Sequence, residues 1–489
     1  MSDYPQILTH IPHKSDYFGG QCDCGGDCGD CACPSPVTSR PVSLFPASSL
    51  LVTSAEAVCI NLADGYTGIF EAASGSAAAL NPAAMALWQS FEQPCLPDEA
   101  AQMADLPVHY AQPAIEQLWQ LGLIKVARAA PAPTCGEPQT FVAWLHLTEA
   151  CNLNCAYCYA PRSNRRMDWE TGKAALQAIW RSAEASGFSS VYLKYAGGEP
   201  TLNFELLKNL HLQALQEAQE RNLQLHATML SNGVALTPAM ANDLKDLGIG
   251  LTLSLDGLWS EHDQQRPRVD GQGSAQAVQE ALQTALEAGL QPHISITITA
   301  QNAGTLAPLV QFALAKGITF KFNFYRETPQ ADPRLSLLNA PQGVIDGVTA
   351  AFSAIEANLP PWSLMDGLID LSYFSAPHRF ACGSGQSYLV VGVDGAVSPC
   401  HMEMSESVSD IWAADPLSEV RQRSQIQVLP VEQRGECKTC TWRYACAGGC
   451  PRLGGSGPSP YCAIYKAIYP EILRLEGLRL LKWGRNSIN

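Results

Sequence analysis

The chain has 489 residues, of which 46% are hydrophobic and 16% charged, and its formal net charge is −15 at pH 7. This length predicts about three domains, and the acidic balance argues against a nucleic-acid or anionic-membrane surface as a partner. We find no apolar run long enough to span a bilayer, and Met1 to Phe18 lacks an apolar signal core. The 18 cysteines cluster along the chain, as in metal sites rather than disulfide frameworks. We therefore expect a cytoplasmic protein with reduced thiols.

Residues 1–44 combine many glycines and prolines with closely spaced cysteines. The thiols are Cys22, Cys24, Cys28, Cys31 and Cys33. Little in this segment could drive burial, so we assign it no secondary structure. Three interpretations stay open: a flexible thiol-rich tail, a metal-binding lid that supplies a ligand to a cluster elsewhere, and a fused substrate segment. Aspartates stand beside the thiols at positions 23, 27 and 30.

Residues 45–128 predict a small separate domain. Short strands are expected at 58–60, 68–70 and 124–126. A helix should begin at Asn81-Pro82, because Asn caps a helix and Pro fits its first position. A second helix, with apolar residues at 115, 118, 119 and 121, should stop at Gly122.

The order of these elements resembles a small winged-helix recognition domain, related to the coenzyme PQQ-synthesis chaperone, that binds leader peptides of ribosomally made precursors. The rival interpretation is a DNA-binding winged helix. However, the last helix contains no Lys or Arg at 114–121, and phosphate binding would need some. Peptide binding by strand addition is therefore our prediction.

Residues 136–330 alternate apolar runs with helical stretches. Strands are predicted at 141–147, 191–196, 225–230, 249–255, 293–299 and 319–325. Helices are predicted at 169–186, 204–220, 237–246, 274–288 and 305–316. This alternation predicts an α/β fold with a parallel sheet and crossover helices. In parallel barrels the chemistry lies at the carboxyl ends of the strands.

The first predicted strand is followed by Cys151, Cys155 and Cys158, at the spacing C-x3-C-x2-C. Three thiolates at this spacing can bind three corners of a cubane iron–sulfur cluster and leave the fourth iron open to a substrate or cofactor. The alternative is half of a structural zinc site, but such sites need four ligands in paired CxxC or HxxH elements, and none lies close by.

This motif, with Tyr157 before its third cysteine, resembles that of the radical S-adenosylmethionine (radical SAM) enzymes. The resemblance implies a partial (β/α)6 TIM-like barrel, a [4Fe-4S] cluster and S-adenosylmethionine, which is cleaved to a radical that abstracts hydrogen. It also implies cofactor contacts at the strand ends. These are Gly197, Gly198, Glu199 and Pro200 after the second strand, Ser231 after the third, and Ser254, Asp256 and Arg266 after the fourth. The alternative for these positions is turn chemistry or helix capping.

Residues 331–380 predict a connector, 381–475 a cysteine-rich domain and 476–489 a C-terminal tail. The cysteines of this domain are Cys382, Cys400, Cys437, Cys440, Cys446, Cys450 and Cys462. Their order resembles the SPASM domain, which holds two auxiliary [4Fe-4S] clusters; a zinc ribbon is the alternative. The resemblance implies an outer cluster on the cysteines at 437, 440, 446 and 462, and an inner cluster on those at 382, 400 and 450. Two cubanes need eight ligands, so the inner cluster has an open iron or borrows a ligand from His378, the N-terminal thiols or a substrate.

A candidate base follows Cys400. Sulfatase-maturing relatives have an Asp there, whereas this chain has His401, with Glu403 nearby. An imidazole can also take a proton near neutral pH; the alternative is a solvated loop histidine.

Taken together, these motifs predict an enzyme that installs a thioether or carbon–carbon crosslink on a ribosomally made precursor peptide bound through its leader. An external donor such as flavodoxin or ferredoxin would supply electrons. One alternative is a maturase of a protein subunit, of the quinohemoprotein or sulfatase type. The other is a non-catalytic iron–sulfur electron carrier or peptide chaperone.

Overall fold

The computed structural model describes residues 4–9, 48–54, 56–127, 138–328, 332–365, 367–426 and 428–484. The three interpretations of the thiols between Cys22 and Cys33 concern residues outside these ranges. Within them, no helix is long and apolar enough to cross a membrane.

The described residues of the N-terminal part form six short strands and three α-helices. The strands are β1 (Ile7–Thr9), β2 (Leu51–Thr53), β3 (Val58–Asn61), β4 (Thr67–Glu71), β5 (Ser76–Leu80) and β6 (Ile124–Val126). The helices are α1 (Pro82–Gln89), α2 (Pro97–Met103) and α3 (Val108–Gln120). An antiparallel sheet has the order β1-β5-β4-β3, and β2 pairs with β6.

The predicted elements of this part are confirmed. Asn81 caps α1 by accepting a hydrogen bond from the backbone N–H of Ala84 at 2.9 Å, and α3 ends just before Gly122, whose φ is +69°. Our assignment of no secondary structure to 1–44 is wrong at residues 7–9, because this short segment adds a strand to the edge of β5.

A nine-stranded sheet forms the centre of the molecule. Its parallel strands are β7 (Thr140–His146), β8 (Ser190–Ala196), β9 (Gln224–Ser231), β10 (Gly250–Ser254), β11 (His293–Ile298) and β12 (Thr319–Phe324). The connecting helices are α4 (Trp169–Ala185), α5 (Phe204–Glu220), α6 (Pro238–Asp246), α7 (Ser260–Gln265), α8 (Ala275–Glu287) and α9 (Leu306–Ala315). All six predicted strands and all five predicted helices are confirmed within one residue at each end; α7 was not predicted.

The two faces of this sheet bury different sets of side chains. On β7, Phe141, Ala143 and Leu145 belong to the large core shared with the helices. Val142 and Trp144 point the other way, into a smaller cluster inside the barrel. This alternation follows from the two-residue period of a strand, and it directs the even-numbered residues of β7 toward the interior.

The C-terminal part extends the same sheet. Its strands are β13 (Tyr388–Val391), β14 (Ala396–Ser398) and β15 (Ser409–Asp410). Its helices are α10 (Pro341–Ala357), α11 (Pro416–Arg423), α12 (Arg443–Cys446), α13 (Pro451–Gly454) and α14 (Cys462–Gly484). Strand β13 lies parallel to β7, so the cysteine-rich region is built directly onto the strand that precedes the C-x3-C-x2-C loop. Helix α14 continues across the boundary that we predicted at residue 475.

Candidate functional site

The loop that leaves β7 carries the three thiols of the C-x3-C-x2-C motif. The Leu153 N–H lies 3.4 Å from Cys151 Sγ, and Asn232 Nδ2 lies 3.7 Å from the same sulfur. Burial raises the pKa of the Cys151 thiol and raises that of Cys155 to about 12, whereas Cys158 is exposed. The thiols of Cys151 and Cys155 therefore stay protonated near neutral pH unless a metal ion replaces the proton.

The donor set of this loop fits an iron–sulfur cluster. Besides burial, the nearby Cys158 and Cys151 raise the pKa of the Cys155 thiol, although no three Cys, His, Asp or Glu side chains in the described ranges converge at coordination distance. Three cysteines on one loop are the ligand type that such clusters use. These residues would hold three irons of a cubane.

A neighbouring segment holds the backbone of this loop in place. The Asn154 N–H donates to the Pro267 carbonyl at 2.7 Å, and the Ala156 N–H donates to the Gln265 carbonyl at 2.9 Å. Leu153 also forms an isolated bridge with Arg268. Residues 265–268, at the end of α7 and just after it, therefore hydrogen-bond along the backbone of the loop. Their position helps to fix the positions of the thiols.

The predicted cofactor contacts Asp256 and Arg266 form a buried ion pair. Arg266 Nε lies 2.7 Å from Asp256 Oδ2, and the Thr297 N–H donates to Asp256 Oδ1 at 2.8 Å. The Tyr157 hydroxyl, on the cysteine loop, also donates to Asp256, and the Arg266 guanidinium lies over the Tyr157 ring at 5.1 Å. These side chains bond to one another and tie the loop to β10 and β11; contact with a cofactor stays a prediction.

A neutral histidine completes this buried cluster. His262 Nδ1 accepts a hydrogen bond from the Asp256 backbone N–H at 3.1 Å, so the proton is on Nε2. Burial lowers the pKa of His262 to about 4. The neutral imidazole therefore holds the backbone at Asp256 by this hydrogen bond and adds no charge beside the buried ion pair.

Glu199 joins the second and third strand ends from a fully buried position. Its Oε1 accepts hydrogen bonds from the Ser231 hydroxyl and the Thr201 hydroxyl, both at 2.7 Å. Its Oε2 accepts one from the Asn232 backbone N–H at 2.8 Å. Among the predicted cofactor residues, Glu199 and Ser231 are thus brought together, and Asn232 in turn reaches Cys151.

The glycine pair before Glu199 allows two backbones to approach closely. A Cβ on Gly197 would lie 2.6 Å from the Thr148 carbonyl oxygen, and one on Gly198 would lie 2.5 Å from that of Ala150. The sequence resemblance predicted these glycines as cofactor contacts. In the structure they pack against the start of the cysteine loop, which a larger residue would displace.

Two further predicted positions lie at the same end of the sheet. Pro200 is buried and begins a short 3-10 turn at residues 200–203, and Ser254 is the half-buried last residue of β10. The structure therefore places both at strand ends, as predicted.

The two candidate bases differ in their surroundings. His401 is buried; its ring stacks on Trp144 at 4.8 Å, and its Nδ1 is 3.1 Å from the Tyr388 hydroxyl. Glu403 instead lies 3.2 Å from Arg452 in an ion pair. The structure thus brings His401, and not Glu403, against the barrel interior, and it excludes the solvated-loop alternative for this histidine.

Sequence reasoning missed a polar position inside the barrel. His146, the last residue of β7, is 1% exposed, and neither of its ring nitrogens has a hydrogen-bond partner among the described residues. The indole N–H of Trp144, two residues earlier, is also buried without a partner there. Burial lowers the pKa of His146 to about 4. The available signal was a histidine at the carboxyl end of an apolar strand, five residues before the first cysteine.

The thiols assigned to the outer auxiliary cluster lie close together. The pKa of the Cys437 thiol, raised first by burial, is raised further by Cys462 and Cys440. The pKa of Cys446 is raised to about 12 by burial, with a further contribution from Cys440. Their mutual influence and their chemistry fit a cluster held by these four thiols. The ligand sets of both auxiliary clusters stay predictions.

Two buried side chains support the auxiliary region. His378 Nδ1 carries the ring proton and donates it to the Ala376 carbonyl at 3.1 Å. Nε2 is therefore unprotonated, as the ligating nitrogen of a metal-bound histidine has to be. Arg434 donates to the carbonyls of Ala447 and Gly449 at 3.0 and 2.9 Å and so holds the turn between two of the cysteines. His378 therefore has a tautomer that suits the predicted ligand role.

Sequence comparisons agree with this geometry. The profile of the radical SAM superfamily matches residues 145–313, which contain the cysteine loop. An uncharacterised protein of Methanocaldococcus jannaschii is 27% identical over 40% of this chain and 65% of its own length. The cysteine-type anaerobic sulfatase-maturating enzyme of Clostridium perfringens is 22% identical over 66% of this chain and 93% of its own. The sporulation killing factor maturation protein SkfB of Bacillus subtilis is 25% identical over 57% and 66%.

Structural comparison supports the fold. A structure described as native anSMEcpe with bound AdoMet and a peptide superposes with a TM-score of 0.56 at 19% sequence identity, covering 71% of this chain and 99% of that one. A likeness at this level of identity concerns the fold. The profile match over residues 145–313 and the three-thiol loop at the end of the first parallel strand show that the chain contains a radical SAM domain and is a radical SAM enzyme.

Proposed function

We propose that this protein is a peptide maturase of the radical SAM/SPASM type, which forms a thioether or carbon–carbon crosslink in a ribosomally made precursor peptide. The observation that carries the proposal is the junction of β13 with β7. In this junction, the segment between Cys382 and Cys400 pairs with the strand that leads to the C-x3-C-x2-C loop. An enzyme that removes two hydrogen atoms from a substrate has to pass on a second electron, and auxiliary clusters in this region would accept it.

When bound, the cluster and S-adenosylmethionine supply a 5′-deoxyadenosyl radical for hydrogen abstraction. Cys151, Cys155 and Cys158 would hold the cluster, and the glycine pair with Glu199, Ser231 and the Asp256–Arg266 pair would shape the cofactor site. The buried cluster that contains Val142, Trp144 and Tyr388 would help to exclude water from a reactive substrate carbon.

His401 would take the proton that the substrate loses. Its ring is held by the stack on Trp144 and by the Tyr388 hydroxyl, so the imidazole has a defined orientation at the barrel interior. A base for this step needs a pKa near the working pH and reach to the proton.

The N-terminal part would bind the leader of the peptide. Strands β3, β4 and β5 pair antiparallel in succession and are followed by helices α1, α2 and α3. Helix α3 carries no Lys or Arg. The names of two similar proteins, a sulfatase-maturating enzyme and the maturation protein of a killing factor, support a peptide or protein substrate. A flavodoxin or ferredoxin would donate the first electron.

His146 would contact the substrate inside the barrel. A buried imidazole without partners costs about 1–3 kcal/mol, so a substrate amide that both donates and accepts would remove this cost. We expect His146→Phe to raise the free energy of unfolding by about 1 kcal/mol and to lower kcat/KM for a peptide substrate by roughly 10–100-fold. Denaturant unfolding and steady-state kinetics check the two effects. A variant that loses stability and keeps kcat/KM would show that His146 is a packing residue.

The proposed function is tested by anaerobic turnover of the full-length protein. The reconstituted protein, S-adenosylmethionine and dithionite are incubated separately with the peptide fraction and the protein fraction of source-cell extract, and intact masses are recorded with and without S-adenosylmethionine. We expect one peptide to lose two hydrogen atoms per crosslink, with formation of 5′-deoxyadenosine. If instead only a folded protein subunit changes mass, the maturase acts on proteins, the alternative suggested by its similarity to the sulfatase-maturating enzyme.

A further inference from the structure

A segment of the chain itself fills one edge of the N-terminal sheet. Strand β1 pairs antiparallel with β5, with Ile7 opposite Leu80 and Thr9 opposite Ala78. The next described residue after Thr9 is residue 48, so a long stretch of sequence separates this strand from the sheet that it joins. Addition of an extended segment to a sheet edge is a common mode of peptide binding.

The backbone of this segment is bound by side chains on α1 and α3. Asn81 accepts a hydrogen bond from the Gln6 N–H at 2.9 Å and donates from Nδ2 to the Tyr4 carbonyl at 2.8 Å. Gln117 Nε2, on α3, donates to the Ile7 carbonyl at 3.2 Å. Because these bonds use main-chain atoms of the segment, they would hold another extended peptide in the same way.

Alternate side chains of the segment supply selectivity. Tyr4 stacks on Tyr110 of α3, with ring centroids 3.8 Å apart. Gln6 Oε1 accepts a hydrogen bond from the Tyr66 hydroxyl at 2.8 Å. Leu8 is 4% exposed and lies in a small apolar cluster with the end of α14. The edge therefore suits a peptide with an aromatic, an amide and an aliphatic side chain at every second position.

We propose that the β5 edge, with α3, is a peptide-docking site, and that residues 4–9 are a tethered ligand which a substrate leader of the same pattern displaces. This inference rests on the proposed function only in that the displacing peptide is a substrate. A tethered ligand competes at an effective concentration of about 1 mM, so it weakens the apparent affinity of a free peptide. A leader that matches the alternating pattern competes well with residues 4–9, and other peptides do not. The segment would therefore make the enzyme selective for matching leaders.

The test uses a fluorescein-labelled synthetic peptide with the sequence of residues 2–13, titrated against the full-length protein by fluorescence anisotropy. Leu8→Asp removes the apolar anchor of the tethered segment and leaves the edge intact. We expect the labelled peptide to bind Leu8→Asp at least ~10-fold more tightly than the wild-type protein. Equal affinity for the two proteins would overturn the proposal.

A second substitution shows whether the labelled peptide occupies this edge. Gln117→Glu, added to Leu8→Asp, sets a carboxylate against the peptide carbonyl and should remove the gain in affinity. The matched control is Gln112→Glu, since Gln112 is exposed on the same helix and bonds to Glu116; it should keep the gain. Labelled-peptide binding that survives Gln117→Glu would place the site elsewhere and also overturn the proposal.

Hydrogen exchange provides a measurement that does not depend on affinity. In Leu8→Asp, amides of residues 76–80 should exchange faster than in the wild-type protein and regain protection when the labelled peptide is added, while residues 138–328 report that the variant is folded. Neither experiment needs S-adenosylmethionine or peptide modification. If the labelled peptide docks as expected but no peptide changes mass in the turnover experiment, the proposed function is wrong. The peptide-docking site would still be supported.

Discussion

Replacement of Cys155 by alanine should abolish the reductive cleavage of S-adenosylmethionine, lowering the yield of 5′-deoxyadenosine by at least ~10³-fold. Loss of a residue that only supports a metal ligand costs 10–100-fold, and Cys155 would be the central ligand of the three-thiol set, so its loss should cost more. The yield is measured by chromatography after anaerobic incubation with dithionite, together with iron content and the absorbance of the cluster.

The matched control for this experiment is Cys59→Ala. Cys59 is an exposed cysteine on β3 of the N-terminal sheet, and its replacement should leave iron content and cleavage unchanged. Full cleavage by Cys155→Ala would contradict the assignment of the cluster to these thiols, whereas a wild-type protein that forms no 5′-deoxyadenosine would favour the non-catalytic alternative of an electron carrier or chaperone.

Replacement of Arg266 by methionine should lower the free energy of unfolding by about 3–5 kcal/mol. This is the usual cost of leaving one member of a buried ion pair without its partner, and Asp256 is fully buried. The same change releases Tyr157, and the cysteine loop with it, so we also expect less iron after reconstitution. Denaturant unfolding of the metal-free protein measures the first effect, and an iron assay measures the second.

An exposed ion pair and a double variant serve as controls. The side chain of Arg334, paired with Asp332 at 2.7 Å, is 80% exposed, so Arg334→Met should change stability by less than about 0.5 kcal/mol. Adding Asp256→Asn to Arg266→Met removes the uncompensated charge and should restore part of the lost stability. If Arg266→Met costs no more than Arg334→Met, the ion pair does not organise the site.

The sequence by itself determined the strands of the central sheet and the position of the three-thiol loop after the first of them. The six parallel strands and their helices alternate over 138–328 with strong apolar periodicity, which is a local property of the chain. The thiols of the loop were equally readable, because cluster ligands are held at short, regular spacings. Strand β5 was missed since its sequence, Ser76 followed by three alanines and Leu80, has no β-branched residue; it is a strand because β4 and β1 lie on either side.

Only the tertiary structure decided how the strand ends act together. Asp256 and Arg266 were predicted as separate cofactor contacts, and a pattern along the chain does not show that their charges neutralise each other beneath Tyr157. The partners of Glu199 lie on a different strand, and the unpartnered nitrogens of His146 depend on what faces it across the barrel. The docking of residues 4–9 on β5 is of the same kind, because its strand pairs join positions 69 to 73 residues apart. Contacts between distant segments depend on packing geometry, which local patterns of polarity do not encode.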